Sequence, residues 1–218
     1  NDILTGGDGN DVFVISPGEQ ADTIEDFSAG DSIDMTAYVT AAKTLVLEQS
    51  GANTLIKVDG ATQVTVKGKA PSDLWIANDG TVTVNNAPVA ETSAITGAGE
   101  DAATTGTLSA TDADADTVLT YAIVSQPSAG TITITNANTG AFSFDPAGAY
   151  DVLGAGESVT RSFTYSVSDG KVTVQKTATL TVTGTNDGPV AVTTSAATGE
   201  NDVLTGQVTA TDVDATDS

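Results

Sequence analysis

The sequence predicts an all-β protein, and three observations lead to that class. Val, Ile and Thr, which suit pleated and half-buried strands, are plentiful. Short runs of alternating apolar and polar residues recur along the chain, as half-buried strands require. Gly, with 22 residues, and Asn and Asp supply the turns between these runs. Because only 17% of the residues are charged, the composition also argues against disorder.

The charge balance limits the partners of this chain. There are 29 Asp and Glu residues against 7 Lys and Arg, with no His, which gives a net charge of -22. Nucleic acid and anionic membranes would repel such a chain. We therefore expect no nucleic-acid partner, and no apolar run is long enough for membrane insertion. Clustered carboxylates need a neutralising cation, and without Cys a bound metal ion can replace a disulfide in stabilising the fold.

Residues 6–14 contain the first motif that carries chemistry. They fit the nonapeptide G-G-x-G-x-D-x-U-x at every defined position. The glycines allow a tight turn whose carbonyls point at one ion, Asp11 adds a carboxylate, and Phe13 enters the core. Oxygen-only ligands favour Ca²⁺. Residues 1–5 are the tail of another such repeat, whereas the alternative interpretation is a Gly-Asp turn that binds nothing.

A second motif extends this region. Residues 21–34 resemble the D-x-I-x-D-F-x-x-G-D-x-I-D stretch that closes the β-rolls of RTX (hemolysin-type calcium-binding) proteins, as in type I-secreted proteases and adhesins. The resemblance covers residues 1–80 and implies the end of a parallel β-roll with a β-strand cap. Because a roll needs stacked neighbours, we expect a fragment of a longer array. The implied calcium ligands are Asp2, Gly6, Asp8, Gly9, Asp11, Asp22 and Asp26.

Some assignments in this first part remain open or rest on pattern alone. Asp31 and Asp34 are equally well explained as ligands or as solvated turn acids. Strands are predicted at 44–47, 54–58 and 63–67. Trp75 is predicted to be a core residue of the cap and not a platform for a ligand.

Two segments of the chain repeat at an offset of about one hundred residues. Residues 86–90 recur as 187–191, and residues 105–114 recur as 205–214. One complete module therefore runs from 85 to 187. The predicted domains are the roll end and cap at 1–84, the complete module at 85–187, and the start of a second, incomplete module at 188–218.

The complete module predicts a β-sandwich of about seven strands, with its Phe and Tyr side chains in the core. Its alternating runs are residues 119–123, 132–134, 142–144, 163–167 and 180–182. Gly, Asn, Asp and Pro turns separate them. No stretch of the chain shows helical periodicity with caps.

The complete module resembles the bacterial cadherin-like or VCBS-type repeats of large surface adhesins. The resemblance is carried by residues 86–90, 111–114, 119–121, 165–170 and 185–189. It implies an Ig/cadherin-like sandwich with Ca²⁺ clamped at each module junction. The implied ligands of the first junction are Asn86, Asp112, Asp114 and Asp169. Those of the second are Glu100, Asn186, Asp187, Asp212 and Asp214.

The two implied junction sites differ in charge. The first linker reads Asn85-Asn86 and lacks the carboxylate that Asp187 supplies to the second. Affinity follows the number of charged ligands, so we expect the weaker ion at the first junction. The alternative interpretation of residues 112–116 is a solvated hairpin loop.

Catalysis finds little support in this sequence. No His can act as a general base, no Cys can act as a nucleophile, and the Ser and Thr residues lack an evident activating base. We therefore predict that the segment is not an enzyme. The resemblances imply a secreted, extracellular, calcium-binding stalk or surface-fibre segment of an RTX adhesin at the cell surface of a Gram-negative bacterium. Its partners would be calcium and neighbouring tandem repeats of the same polypeptide.

Two other functions compete with the structural one. The sandwich could be an adhesion module that recognises a surface glycan or protein, with Tyr38 and Tyr150 as the only candidate stacking platforms for a sugar. Alternatively, unpaired strands within residues 189–212 could support self-association into a filament or surface layer.

Overall fold

A computed structural model of the protein describes residues 1–214. The chain forms two compact units. Unit 1 comprises Asn1–Val89, Ala110–Leu119 and Val167–Val174, and unit 2 comprises Ala90–Ser109, Thr120–Ser166 and the chain from Gln175 onward. The predicted domain boundaries after residues 84 and 187 stay predictions. The last four residues of the predicted second module, 215–218, lie outside the described residues.

The first 84 residues are almost entirely strands and turns, as predicted. The strands are β1 (Ile3–Leu4), β2 (Val12–Val14), β3 (Asp22–Ile24), β4 (Ser32–Asp34), β5 (Leu45–Ser50), β6 (Asn53–Val58), β7 (Ala61–Val66), β8 (Leu74–Ile76) and β9 (Thr81–Val84). A four-residue helix α1 (Thr36–Val39) and a 3-10 turn at Pro71–Asp73 connect them. The helix is one turn long, which explains why the sequence shows no helical periodicity.

Unit 1 contains two sheets, ordered β1-β3-β7-β6-β5 and β2-β4-β9-β8. The first four strands form one parallel pair in each sheet. β1 pairs with β3 in the first sheet, with Ile3 opposite Thr23, and β2 pairs with β4 in the second, with Val12 opposite Ser32. The chain therefore makes two successive coils, each adding one short strand to each sheet. The antiparallel hairpins β5-β6-β7 and β8-β9 extend the sheets beyond the coils.

Apolar side chains from both sheets of unit 1 form one core. Alternation within the strands directs these side chains inward, since successive residues of a strand face opposite sides. The core consists of Phe13, Ile15, Ile24, Phe27, Ile33, Met35, Tyr38, Ile56, Val58, Val64, Val66, Leu74 and Val82.

The remaining described residues add eleven strands. These are β10 (Val89–Ala90), β11 (Ala94–Gly99), β12 (Thr104–Thr107), β13 (Ala110–Thr111), β14 (Thr120–Ser125), β15 (Thr131–Asn136), β16 (Ala141–Asp145), β17 (Ser158–Ser168), β18 (Thr173–Thr183), β19 (Val190–Ala191) and β20 (Ala210–Thr211). β19 and β20 form an antiparallel pair. Between them, residues 192–209 contain no strand and are exposed.

Seven strands, β11, β12 and β14 to β18, build the predicted sandwich around the core of unit 2, while β13 pairs with β10. A four-stranded sheet, β11-β18-β17-β14, and a three-stranded sheet, β12-β16-β15, together have the predicted seven strands. Their inner faces meet where the rings of Phe142 and Phe163 lie 6.5 Å apart. Phe163 and Tyr165 alternate with more exposed residues along β17, so the period of two identified the core correctly.

The structure corrects the predicted roles of three aromatic residues. Trp75 is half-buried outside the core, because the preceding Leu74 takes the inward position in β8. Its indole N–H donates to the carbonyl of Ala115 at 2.7 Å. Tyr38 and Tyr150 are buried, and their hydroxyls donate to the carbonyls of Ser16 and Ala129. The two tyrosines are therefore not sugar-stacking platforms.

No helix within residues 1–214 is long and apolar enough to cross a membrane. The longest helix is α1, with four residues.

Two glycines with similar backbones provide a test of the packing in unit 2. Gly140 and Gly156 both have positive φ, 71° and 81°, so alanine is strained at either position. At Gly140 an added Cβ would also lie 2.4 Å from the carbonyl oxygen of Leu108, whereas nothing lies within 4 Å at Gly156. We expect Gly140→Ala to lower the free energy of unfolding by roughly 3 kcal/mol and Gly156→Ala by about 1 kcal/mol. Urea unfolding followed by circular dichroism measures both, and equal losses would contradict the close contact.

Candidate metal centres

The side chain of Asp11 packs against the backbone of the Gly-Asp loop of the first coil. A Cβ on Gly6 would lie 2.5 Å from Asp11 Oδ2, so glycine at this position lets the carboxylate approach the loop backbone. That same Oδ2 atom is buried and has no hydrogen-bond partner. Asp2, Asp8 and Gly9 of the predicted ligand set are exposed. The structure thus brings Asp11 and Gly6 together.

The acids of the second coil make hydrogen bonds back to the first coil. Asp22 accepts from the backbone N–H of Asp2, and Asp26 accepts from those of Gly6 and Gly7. Asp31 accepts from the N–H of Asp11 and from Ser28. Burial alone would raise the pKa of Asp31, but these hydrogen bonds hold it below its ordinary value.

Asp34, which the sequence left open between a calcium ligand and a turn acid, bonds to its own turn. Asp34 Oδ1 accepts the backbone N–H of Thr36 at 3.0 Å, at the start of α1. This is the role of a short polar side chain beside a helix N-terminus. A turn function therefore accounts for Asp34 without an ion.

A second cluster lies wholly within unit 1 and joins three segments that are distant in sequence. Carboxylate oxygens of Asp112, Asp114 and Asp169 lie within 4.8 Å of one another. Asp112 and Asp114 belong to the turn after β13, and Asp169 follows β17. Asn86 follows β9 and donates its backbone N–H to Asp114 Oδ2 at 2.7 Å and its side-chain amide to Oδ1 at 2.8 Å. All four predicted ligands of the first junction are thus brought together.

Asn85 is a member of this cluster that the sequence prediction missed. Its side-chain amide donates to Asp169 Oδ2 at 3.0 Å, which leaves its own Oδ1 buried without a partner. Asp112 Oδ2 is also buried without a partner. The repeat contained the signal, since Asn85 aligns with Asn186, which was selected at the second junction.

The electrostatics of the first-junction cluster reflect crowded negative charge. Burial, together with the charges of Asp114 and Asp169, raises the pKa of Asp112. Burial acts in the same direction on Asp169, but hydrogen bonds from the N–H groups of Val172 and Lys171 and from Asn85 lower its pKa. The Lys171 ammonium, whose pKa is lowered by burial, donates to the carbonyl of Pro71. No ion pair within 4.0 Å among residues 1–214 includes an acid of this cluster.

A cleft of about 410 Å³ adjoins this cluster within unit 1. Trp75, Asn86 and Asp114 are among the residues that line it. Trp75 is the only tryptophan in the chain, and its indole bonds to Ala115, the residue after Asp114. It therefore lies beside the first-junction cluster.

A third cluster, within unit 2, repeats the pattern of the second. Asp214 N–H donates to Asp212 Oδ1 at 3.0 Å, as Asp114 N–H donates to Asp112 Oδ1 at 2.8 Å. Asp187 N–H donates to Asp214 Oδ2 at 3.0 Å, which matches the bond of Asn86. The sequence repeat is therefore also a repeat of hydrogen-bond geometry.

Glu100 completes the second-junction cluster from the side of β11. Its Oε1 accepts from the backbone N–H and the hydroxyl of Thr185, while its Oε2 is buried without a partner. Asp214 Oδ1 is in the same condition. Asp101, a second residue that the sequence prediction missed, accepts from the Thr185 hydroxyl at 2.7 Å. Asn186 donates its side-chain amide to the carbonyl of Asp187, as Asn85 does to that of Asn86.

The charge of this third cluster is concentrated around Asp187. Burial raises the pKa of Asp187, and the neighbouring charges of Asp101, Asp214 and Glu100 raise it further. The atoms that could bind a metal ion in the Gly-Asp loop and in the two junction clusters are oxygens. Oxygen ligands suit a hard cation such as Ca²⁺, and none of these atoms is a soft ligand for zinc or copper.

Residues 85–185 match the family model described as Bacterial cadherin-like domain. The match spans the complete predicted module and a little under half of the 218 residues. This part of the chain is therefore similar to bacterial cadherin-like domains, and its fold is all-β and Ig/cadherin-like, as the sequence predicted. No curated protein matches the chain.

Several solved structures resemble the chain at low overall similarity. Human protocadherin-24 EC1-2 is 26% identical with a TM-score of 0.38, over 59% of this chain and 61% of that chain. Form II of the same human protein is 28% identical with a TM-score of 0.40, over 60% and 63%. An endo-fucoidan hydrolase from glycoside hydrolase family 107 is 19% identical with a TM-score of 0.36, over 77% and 29%.

All three TM-scores are below 0.5. The chain spans less than two thirds of the length of each of these three structures.

The like-charge repulsion at the first-junction cluster predicts an unusual variant. In calcium-free buffer with chelator, Asp112→Asn should raise the free energy of unfolding by roughly 1 kcal/mol, because it removes one of three neighbouring negative charges. The gain should shrink as the pH falls through the raised pKa of Asp112, since the protonated acid carries no charge. Urea unfolding at several pH values measures this effect.

The matched control for this variant is Glu19→Gln. It removes the same charge at an exposed position outside the clusters and should leave the stability nearly unchanged. A loss of stability in Asp112→Asn at neutral pH without calcium would show that repulsion is not the dominant effect there.

Proposed function

We propose that this chain is a calcium-binding structural segment of a secreted adhesin-type protein, stiffened by extracellular Ca²⁺. One observation carries the proposal. Six buried side-chain N or O atoms in residues 1–214 have no hydrogen-bond partner, and five of these are oxygens. All five belong to the Gly-Asp loop or to the two junction clusters: Asp11 Oδ2, Asn85 Oδ1, Glu100 Oε2, Asp112 Oδ2 and Asp214 Oδ1. A buried acceptor without a partner costs about 1–3 kcal/mol, which a bound cation would offset.

The residues present fit calcium at each cluster. In the roll loop, Asp11 would bind the ion together with loop carbonyls. In the first-junction cluster, Asp112, Asp114 and Asp169 supply carboxylates and Asn85 supplies a neutral oxygen. In the second-junction cluster the ligands would be Glu100, Asp187, Asp212 and Asp214, with Asp101 close by. Calcium would neutralise these charges and connect segments that are distant in sequence.

The location and secretion route form part of the same proposal. Cadherin-like repeats are extracellular adhesion-type modules, and extracellular calcium modules work at millimolar ion concentrations. The two parallel coils at residues 2–34, with a Gly-Asp loop in the first, support the end of an RTX β-roll. In a cytoplasm poor in calcium, repulsion among the carboxylates would destabilise the calcium-dependent parts of the fold and keep the chain competent for type I export.

We also propose that the segment has no catalytic activity of its own. The sequence contains no His and no Cys, and the unpartnered acids lie in clusters that metal binding explains. A glycan-binding role finds less support than the structural one, because Tyr38 and Tyr150 are buried and therefore unavailable for stacking.

Terbium luminescence tests this proposal at sites near Trp75, and a variant of the first-junction cluster assigns the signal. Tb³⁺ replaces Ca²⁺ at oxygen sites and emits when a nearby tryptophan is excited. Because Trp75 lies beside the first-junction cluster, we expect sensitised emission that Ca²⁺ displaces. Asp112→Asn should weaken the binding of Tb³⁺ there roughly tenfold or more, since one of three carboxylates is lost.

The control variant in this experiment is Asp145→Asn. Asp145 accepts a backbone N–H in a turn and belongs to none of the clusters, so the titration should not change. Absence of displaceable emission from the wild-type chain, or the same affinity in Asp112→Asn, would contradict calcium binding at this cluster.

A further inference from the structure

Three aspartate side chains of the second coil hydrogen-bond to the backbone of the first coil in unit 1. Each belongs to the second coil and accepts a backbone N–H from the first. Asp22 Oδ1 accepts from Asp2 at 2.9 Å, and Asp31 Oδ1 accepts from Asp11 at 3.0 Å. Asp26 accepts two backbone N–H groups, that of Gly6 on Oδ1 at 3.0 Å and that of Gly7 on Oδ2 at 2.9 Å.

These three residues, Asp22, Asp26 and Asp31, form what we call the aspartate seam. The seam repeats with a separation of 20 residues between donor and acceptor, except for the neighbouring bond from Gly7. The separation of 20 is also that of the parallel strand pairs, in which Ile3 lies opposite Thr23. The seam therefore runs beside the strand ladders and connects the turns of the two coils.

The hydrogen bonding of the seam differs from that of Asp11, the carboxylate of the neighbouring Gly-Asp loop. Asp22 and Asp31 are buried, with 6% and 2% of their surface exposed, yet no oxygen of the seam is among the buried atoms without a partner. Both oxygens of Asp26 accept a backbone N–H, and the second oxygen of Asp31 accepts from Ser28. Asp11 Oδ2, in contrast, is buried and unpartnered.

We propose that the aspartate seam is an ion-free clamp that joins the last two coils without calcium. Its carboxylates take backbone N–H donors as partners, and such charge-assisted hydrogen bonds are strong. Asp22 and Asp26, which the sequence suggested as ligands, would instead give the calcium-dependent loop a permanent platform. That platform would be present before any ion binds, so the chain would enter a calcium-rich medium with one coil junction already formed.

The seam does not depend on the proposed calcium sites, and one measurement separates the two ideas. Amide hydrogen exchange followed by NMR on the full chain reports directly on the N–H groups that the seam holds. In the presence of chelator we expect the amides of Gly6, Gly7 and Asp11 to remain protected. If chelator removed that protection and calcium restored it, the clamp would be an ion site and the inference would be wrong.

Two variants assign the protection to individual seam residues. Asp26→Asn replaces an acceptor oxygen with a donor, so protection of Gly6 and Gly7 should fall at least tenfold while that of Asp11 persists. Asp31→Asn should lower the protection of Asp11 and leave that of Gly6 and Gly7 unchanged. Strand amides of β6 and β7, which are remote in sequence from the seam, serve as the folding control. Unchanged protection at Gly6 and Gly7 in Asp26→Asn, with the control strands intact, would also overturn the proposal.

If the clamp failed this test while terbium binding at the first-junction cluster held, only the clamp would be rejected. If terbium binding failed while the seam amides stayed protected in chelator, the clamp would stand and the calcium proposal would fall.

Discussion

Negative charge gathered at strand ends is the constraint on which the rest of this structure depends. With 29 acids against 7 bases, few carboxylates can find a cationic side chain. The chain places many of them in turns, where two kinds of partner are available. Some, such as Asp26 and Asp169, accept backbone N–H groups that the strands leave free. Others keep a buried oxygen without a protein donor, which is the arrangement that a hard cation suits.

The module similar to cadherin-like domains has a linker before it and a linker after it in sequence, and each linker contributes to an acid cluster. The Asp-x-Asp turn and the linker N–H adopt the same hydrogen bonds at residues 112–114 and 212–214, so the geometry is a property of the repeat. The linkers differ, since Asn86 at one end corresponds to Asp187 at the other. Under the proposed function, a tandem of such repeats would bind calcium in series, with an affinity set by the acid count of each linker.

Patterns with a strict period were predictable from sequence, while placements that depend on neighbours were not. The seven sandwich strands and the core positions of Phe163 and Tyr165 follow from alternation. The sequence repeat located both acid clusters. Asp101 was missed because its partner, Thr185, is 84 residues away and leaves no periodic signal, whereas the alignment of Asn85 with Asn186 in the repeat could have identified Asn85. Trp75 was wrongly assigned to the core because hydrophobicity alone does not say which face of a three-residue strand is buried.

The central claim is that calcium stabilises this fold through its acid clusters, and calorimetric melting of the full chain tests it most directly. When the free ion concentration is a hundred times the Kd, binding adds about 2.7 kcal/mol per site to the free energy of unfolding. We therefore predict a clearly higher Tm in millimolar calcium than in chelator. Magnesium should have a smaller effect, because it favours a tighter octahedral shell that retains water. The same Tm in calcium and in chelator would contradict the claim.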